Sequence, residues 1–198
     1  GRTLNVQGGT EVSVQANGFG DAGNIELNFE DGIVIEDNST VKASTTSNGD
    51  AGSILLNAPV VSLTNGEVAS TSAFAEDRPD ATIGRAGNIT VTANQLFLAN
   101  SRISSSTAGT GDGGDLRLTT AANTQLLSGS RIETQAQGSG NSGSINLSVA
   151  GDLVLQTEGA TQLEQLSSIL TNSQLSDGGS ISATVEGTLQ LDNGRIVS

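Results

Sequence analysis

The chain has no cysteine, histidine, tryptophan, tyrosine or methionine, and only two prolines, in 198 residues. Without cysteine there is no disulfide framework and no thiol nucleophile. Without histidine the commonest general base is gone, the many serines lack their usual activator, and a His/Cys metal site is impossible. The aromatics are four phenylalanines, 2% of the chain, so the ring platforms that stack on sugars in carbohydrate-active solenoids are nearly missing. A single lysine, Lys42, and seven arginines stand against 21 acidic residues, for a net charge of −13. Such a chain repels phosphate-rich partners, so neither nucleic acid nor an anionic membrane surface is expected to bind it. No apolar run approaches the ~18 residues of a membrane-spanning helix, so no membrane insertion is expected. No cofactor is expected either, and an enzyme is not the reading these absences favour. Carboxylate chemistry, as in a polysaccharide lyase or hydrolase, remains a distant alternative, because no acids recur at one phase of the repeat described below.

Large apolar groups are also scarce. The hydrophobic share is 34%, against ~45–50% for globular domains when glycine is counted with the apolar set. A compact globule of this composition would not offset its chain entropy. Disorder or a thin, repetitive core remains, and the regular placement of the apolar residues selects the core. The 26 glycines, about twice the ~7% average usage, suit a backbone that turns often.

The recurrent unit is small–Gly–polar–apolar–x–apolar. It begins at Ala22, Ala51, Ala86, Gly113, Ser142 and Gly178, spaced by 29, 35, 27, 29 and 36 residues. Each anchor strand is followed by a second apolar pair, such as Ile33/Ile35, Val61/Leu63, Leu96/Leu98, Leu153/Leu155 and Leu189/Leu191. A third strand is centred on Val41, Val68, Ile103, Ile132, Ile169 and Ile196. Asn or Gly residues precede the third strand (Asp37-Asn38, Asn65-Gly66, Asn100, Gly129, Asn193-Gly194), where a sharp corner requires left-handed backbone angles. The N-terminal piece fits the same frame, with Leu4/Val6, a Gly8-Gly9 turn and Val12/Val14.

Short alternating runs that return at one phase predict strands stacking on their own copies one coil later. The expected fold is therefore all-β: a right-handed parallel β-helix, or three-faced β-solenoid, rising ~4.8 Å per coil. Coils are about 29 residues long where no insertion lengthens them, five complete with two partial terminal coils, in one domain over 1–198. Residue 1 falls inside a repeat, so the chain reads as a fragment of a longer repeat protein.

Three core ladders follow from this frame. They are Ile25, Ile54, Ile89, Leu116, Ile145 and Ile181; then Ile35, Leu63, Leu98, Leu127, Leu155 and Leu191; then Val12, Val41, Val68, Ile103, Ile132, Ile169 and Ile196. In the fourth repeat Gln125 falls where the first residue of the apolar pair is due, which predicts a local bulge. Ser70, Ser105, Thr134 and Thr171 point inward near a corner and need partners; a stacked hydroxyl or a backbone carbonyl would serve.

The irregularities hold the candidate contacts. One insertion, 73–85, carries Phe74 among Asp77, Arg78 and Asp80. Another, 156–166, has helix-friendly residues sufficient for one helical turn. Insertions on solenoids fall in loops, often on the working face, although loop length also drifts at little cost. Outward positions beside the third ladder stack as Glu11, Thr40, Glu67, Arg102, Arg131, Ser168 and Arg195. This predicts a Glu67–Arg102 ion pair, worth ~0.2–1 kcal/mol, and leaves Arg102 and Arg131 as candidate holders of an anion or a carboxylated sugar. Asp112 and Asp115, in a Gly-Asp-Gly-Gly-Asp run, resemble part of a calcium nonapeptide. A calcium roll needs several such runs in tandem and there is one, so an ordinary turn is the first reading and a calcium site the second.

The Ala-Gly-[Asn/Ser]-Ile-x-[Leu/Val] strand, the apolar pair and the [Asn/Gly]-Ser-x-Ile segment, seen at Ala22 to Ser44, Ala86 to Ser106 and Gly129 to Glu133, resemble the repeat region of filamentous haemagglutinin-like exoproteins. The likeness is to the large cyanobacterial type secreted by the two-partner route, and it covers nearly the whole chain. It implies an extracellular or cell-surface structural protein, a segment of an adhesive fibre acting in adhesion, aggregation or matrix. Its partners would be neighbouring coils, copies of the same fibre, or cell-surface glycans and proteins. The alternatives are a carbohydrate-binding β-helix module and an ice-binding solenoid; the latter needs a flat Thr array, which Thr90/Thr92 begin but Leu55/Asn57 and Arg117/Thr119 do not continue.

Overall fold

A computed structural model describes residues 1–18, 20–46, 48–73 and 84–198. Its strands form three parallel sheets, each made of one strand type from successive coils. The anchor sheet has six strands: Ile25–Asn28, Ile54–Asn57, Ile89–Ala93, Leu116–Thr120, Ile145–Val149 and Ile181–Val185. The second sheet has seven: Thr3–Val6, Gly32–Glu36, Val60–Thr64, Gln95–Ala99, Thr124–Leu127, Leu153–Gln156 and Leu189–Asp192. The third sheet also has seven: Glu11–Ala16, Thr40–Thr45, Glu67–Ser72, Arg102–Thr107, Arg131–Ala136, Ser167–Ser173 and Gly194–Val197. Parallel strands cannot be joined by tight hairpins, so the chain must pass round the other two faces before it pairs again. The result is the three-faced parallel β-helix expected from the repeat.

The core is the space enclosed by the three sheets. The first ladder pairs in register from Ile25 through Ile54, Ile89, Leu116 and Ile145 to Ile181. The third pairs from Val12 through Val41, Val68, Ile103, Ile132 and Ile169 to Ile196. Between the terminal coils these side chains are almost wholly buried; Ile103, Leu116 and Ile132 are 0% exposed. Each such burial contributes ~1.5–3 kcal/mol, so many thin layers replace one thick core.

The second ladder differs from expectation at one coil. Leu98 pairs with Leu126, and Leu126 pairs with Leu155. Leu126 is fully buried, while Leu127 is the half-buried outward residue. No bulge is needed, because Thr124 pairs with Leu96 and Leu153 and takes the first apolar position, 1% exposed. Thr124 is shaped like valine, and its hydroxyl lies 2.9 Å from that of Thr120, which removes the cost of burying it.

Corners explain the remaining composition. Asp37, Asn38, Asn65, Asn100 and Asn193 all have positive φ, as do Gly8, Gly9 and Gly129. Ser128 does as well, at φ 56°, and the residue type gave no warning of it. The anchor glycines have another role. A Cβ on Gly52, Gly87, Gly114, Gly143 or Gly179 would lie less than 3.0 Å from the carbonyl oxygen of the anchor glycine one coil earlier. Coils meet backbone to backbone along this column. The inward hydroxyls stitch the same corner. Ser70 and Ser105 donate to the Gly52 and Gly87 carbonyls, both at 2.9 Å, and Thr134 and Thr171 donate to Gly143 and Gly179 at 2.6 and 2.8 Å. Ser70 and Ser105 also accept from the next anchor glycine, Gly87 N–H at 2.8 Å and Gly114 N–H at 3.0 Å.

Candidate functional site

The third sheet places Glu11, Thr40, Glu67, Arg102, Arg131, Ser168 and Arg195 in one outward row, each paired with the next. The row is as expected but the ion pair is not. Arg102 pairs through Nη2 with Oε1 of Glu133, one coil on and two residues along, rather than with Glu67. A strand alternates its faces, so Glu133 points outward like Arg131. Yet its side chain is only 6% exposed, against 42% for that of Arg102. A buried carboxylate needs a partner, and a diagonal arginine satisfies it where the directly opposite Ser104 cannot. Glu67 is left facing a groove.

That groove, about 410 Å³, runs along the corner between the second and third sheets. Asn65, Asn100, Glu67, Arg102, Gly129 and Arg131 are on its walls. Its floor is ordered by a polar column: Asn100 Nδ2 donates to Asn65 Oδ1 at 2.7 Å, Gly66 N–H to Ser101 Oγ at 3.0 Å, and Ser101 N–H to Ser130 Oγ at 3.1 Å. Arg131 is not free to close over a ligand with Arg102. Its guanidinium donates to the backbone carbonyl of Glu164 in the fifth-coil insertion. The two arginines are neighbours in register with separate partners.

The insertion itself contains the helical turn its composition suggests, a 3-10 turn at Leu163–Gln165. Its neck is closed by Thr157 and Ser167. Ser167 N–H donates to Thr157 Oγ1 at 2.7 Å, Thr157 Oγ1 to Ser167 Oγ at 2.9 Å, and Ser167 Oγ to the Gln156 carbonyl at 2.9 Å. Ser167 thereby resumes the coil where a shorter corner would. Beside the loop lies a cavity of about 380 Å³, lined by Leu127, Ser128, Thr157, Glu158 and Gln165 among others.

Asp112 and Asp115 line another corner, where their side chains act as rungs between coils. Asp112 Oδ1 accepts from Asn141 N–H at 3.0 Å, and its Oδ2 is 3.5 Å from Nη2 of Arg85. Asp115 Oδ1 accepts from Ser144 N–H at 2.7 Å. Asn24, Ser53, Asn88 and Ser144 do the same at that position in other coils. The Gly-Asp-Gly-Gly-Asp run is thus one instance of a general corner. Among the described residues no three His, Cys, Asp or Glu side chains cluster to hold a metal ion. Phe74, Asp77, Arg78 and Asp80 lie outside the described residues.

Sequence reasoning missed Glu133 and the carbonyl of Glu164 as the arginines' partners. The parity of the third strand put Glu133 on the outer face, but only the fold shows that this position is covered and that the contact is diagonal.

No protein-family description, curated protein or solved structure matches the chain. What the geometry defines is a class: a three-faced parallel β-helix with polar corner ladders.

Proposed function

We propose that this chain is a segment of the shaft of a secreted or cell-surface fibre of the filamentous haemagglutinin-like kind, cyanobacterial in type and exported by the two-partner route. It would serve adhesion, aggregation or an extracellular matrix, with copies of the fibre or surface glycans and proteins as partners. The observation that carries this reading is the unbroken register of all three sheets through coils of unequal length. Spacings of 27 to 36 residues separate hydrogen-bonded corner positions, yet no ladder slips. A fold that absorbs such variation at its corners and none in its ladders is built to extend, as a shaft must. The corner acids Asp112 and Asp115 accept from backbone N–H groups, Arg102 pairs with Glu133 and Arg131 donates to a backbone carbonyl, which suits a structural element.

The test is immunogold labelling of intact source cells with antibodies to this chain, paired with electron microscopy of the purified parent protein. Labelled surface or shed material and an elongated particle are expected. Label confined to the cell interior, or a compact parent particle, defeats the proposal.

A carbohydrate-binding role is the second reading, and the polar groove between Asn65, Asn100 and Arg131 favours it. A glycan array should then show binding that Glu67→Ala removes, since Glu67 is the side chain left facing the groove; an empty array ends this reading and leaves the first untouched.

A further inference from the structure

The outer surfaces of the three sheets are chemically unlike. On the third sheet, charges recur along the strands at Glu11, Lys42, Glu67, Arg102, Arg131, Glu133 and Arg195. On the anchor sheet, outward residues are mostly Asn, Ser and Thr, which water solvates well. The second sheet is different. Its strands carry only two charges, Glu36 and Asp192, both in the row nearest one corner. Its central outward row alternates along the rod: Val34, Phe97 and Val154 are separated by Ser62 and Gln125. Val60, 39% exposed, and half-buried Leu127 flank this row.

We infer that this face is a lateral contact between two copies of the chain, packed sheet against sheet with Phe97 at its centre. Two arguments select a second copy. The first is charge. Copies that each carry −13 repel over most of their surface, and a flat face whose middle holds no charge is where like can approach like. The second is self-matching. A two-fold contact brings the same patch of both copies together. With rods side by side in the same sense, each residue of the central row meets itself. With rods reversed about Phe97, Val34 meets Val154, Ser62 meets Gln125, and Glu36 falls opposite Gln156. Either way apolar meets apolar, Phe97 meets Phe97, and no like charges are opposed.

The size of the face sets the strength. Seven strands at ~4.8 Å span roughly 34 Å, and four residues at ~3.3 Å span about 13 Å. That is roughly 450 Å² per copy, or about 900 Å² in all, below the ~1,200–2,000 Å² of standard stable interfaces. The contact is therefore weak for one chain and grows with the number of coils aligned.

Analytical ultracentrifugation of the chain from about 10 μM to 1 mM tests this. The weight-average mass should climb from monomer toward dimer, and more steeply at high salt, where the shared negative charge is screened. Phe97→Glu should weaken association at least ~10-fold, as two carboxylates would face each other across the axis. Gln125→Glu, in the same row on an already polar position, would bury a carboxylate against its own copy or against Ser62; it should also weaken association and guards against a folding defect at Phe97. Thr92→Glu, on the anchor sheet, should change nothing. A wild-type chain that stays monomeric to 1 mM overturns the inference. So does association that survives Phe97→Glu and Gln125→Glu in folded protein, or that is lost instead with Leu191→Glu, which would place the contact at the end of the rod. The measurement is made on the isolated chain, so its outcome is separate from that of the secretion and surface experiments.

Discussion

Gly114→Ala and Gly23→Ala are the same substitution at the same place in the repeat, and they should behave oppositely. In Gly114 the added methyl would point at the carbonyl of Gly87, with Ser105 Oγ also only 2.8 Å away. The obstructing atoms are backbone held in parallel ladders, so no flexible side chain can swing aside. Overpacking of this kind costs ~1–3 kcal/mol. Parting the coils also strains the hydrogen bonds of Ser105 to Gly114 N–H and Gly87 O, adding ~0.5–1.5 kcal/mol for each bond lost. The total is about 3 kcal/mol, which for a chain of this size lowers Tm by roughly 6–12 °C. Gly23 has no atom within 4 Å of the Cβ position and its φ is not positive. There alanine should be neutral, or stabilise by ~0.4–1 kcal/mol through the lower entropy of the unfolded chain. Thermal and urea melts of both variants decide the matter, with amide exchange at Gly114 reporting whether the opening is local. Equal destabilisation of the two, or an unchanged Gly114→Ala, would refute backbone contact as the reason for the glycine column.

Two further outcomes bear on the corrected features. Leu126→Ala should cost ~2–5 kcal/mol as a core truncation, whereas Leu127→Ala should stay within about 1 kcal/mol; a reversal in urea melts would restore the bulged register. Glu133→Ala should cost roughly 1–2 kcal/mol, less than breaking a fully buried pair because the Arg102 side chain is 42% exposed. A double-mutant cycle with Arg102→Ala should recover most of that as coupling energy, while the cycle between Glu67→Ala and Arg102→Ala should give almost none.

The ladders were legible because a parallel β-helix repeats its environment: every coil asks the same question of the same position, and six answers to one question can be compared. The corner asparagines were legible for the same reason, since few residue types accept positive φ. Thr124 and Leu126 were misread because a hydroxyl paired with Thr120 can stand in for an apolar residue, and composition cannot show that pairing. The partners of Arg102 and Arg131 were hidden for a different reason. A row read along the sequence suggests straight neighbours, whereas long side chains reach diagonally and across an insertion whose path the repeat does not specify.

The closed neck at Thr157 and Ser167 separates what the loop is from what the coil needs. Because those two side chains bridge the base and return the chain to its track, 158–166 can diverge in length and content without disturbing the strands on either side. Selection can thus act on the loop as a replaceable module, while the surrounding residues stay under the much stricter demand of fitting between two neighbours. A surface can diversify coil by coil in this way, with the framework beneath it left intact.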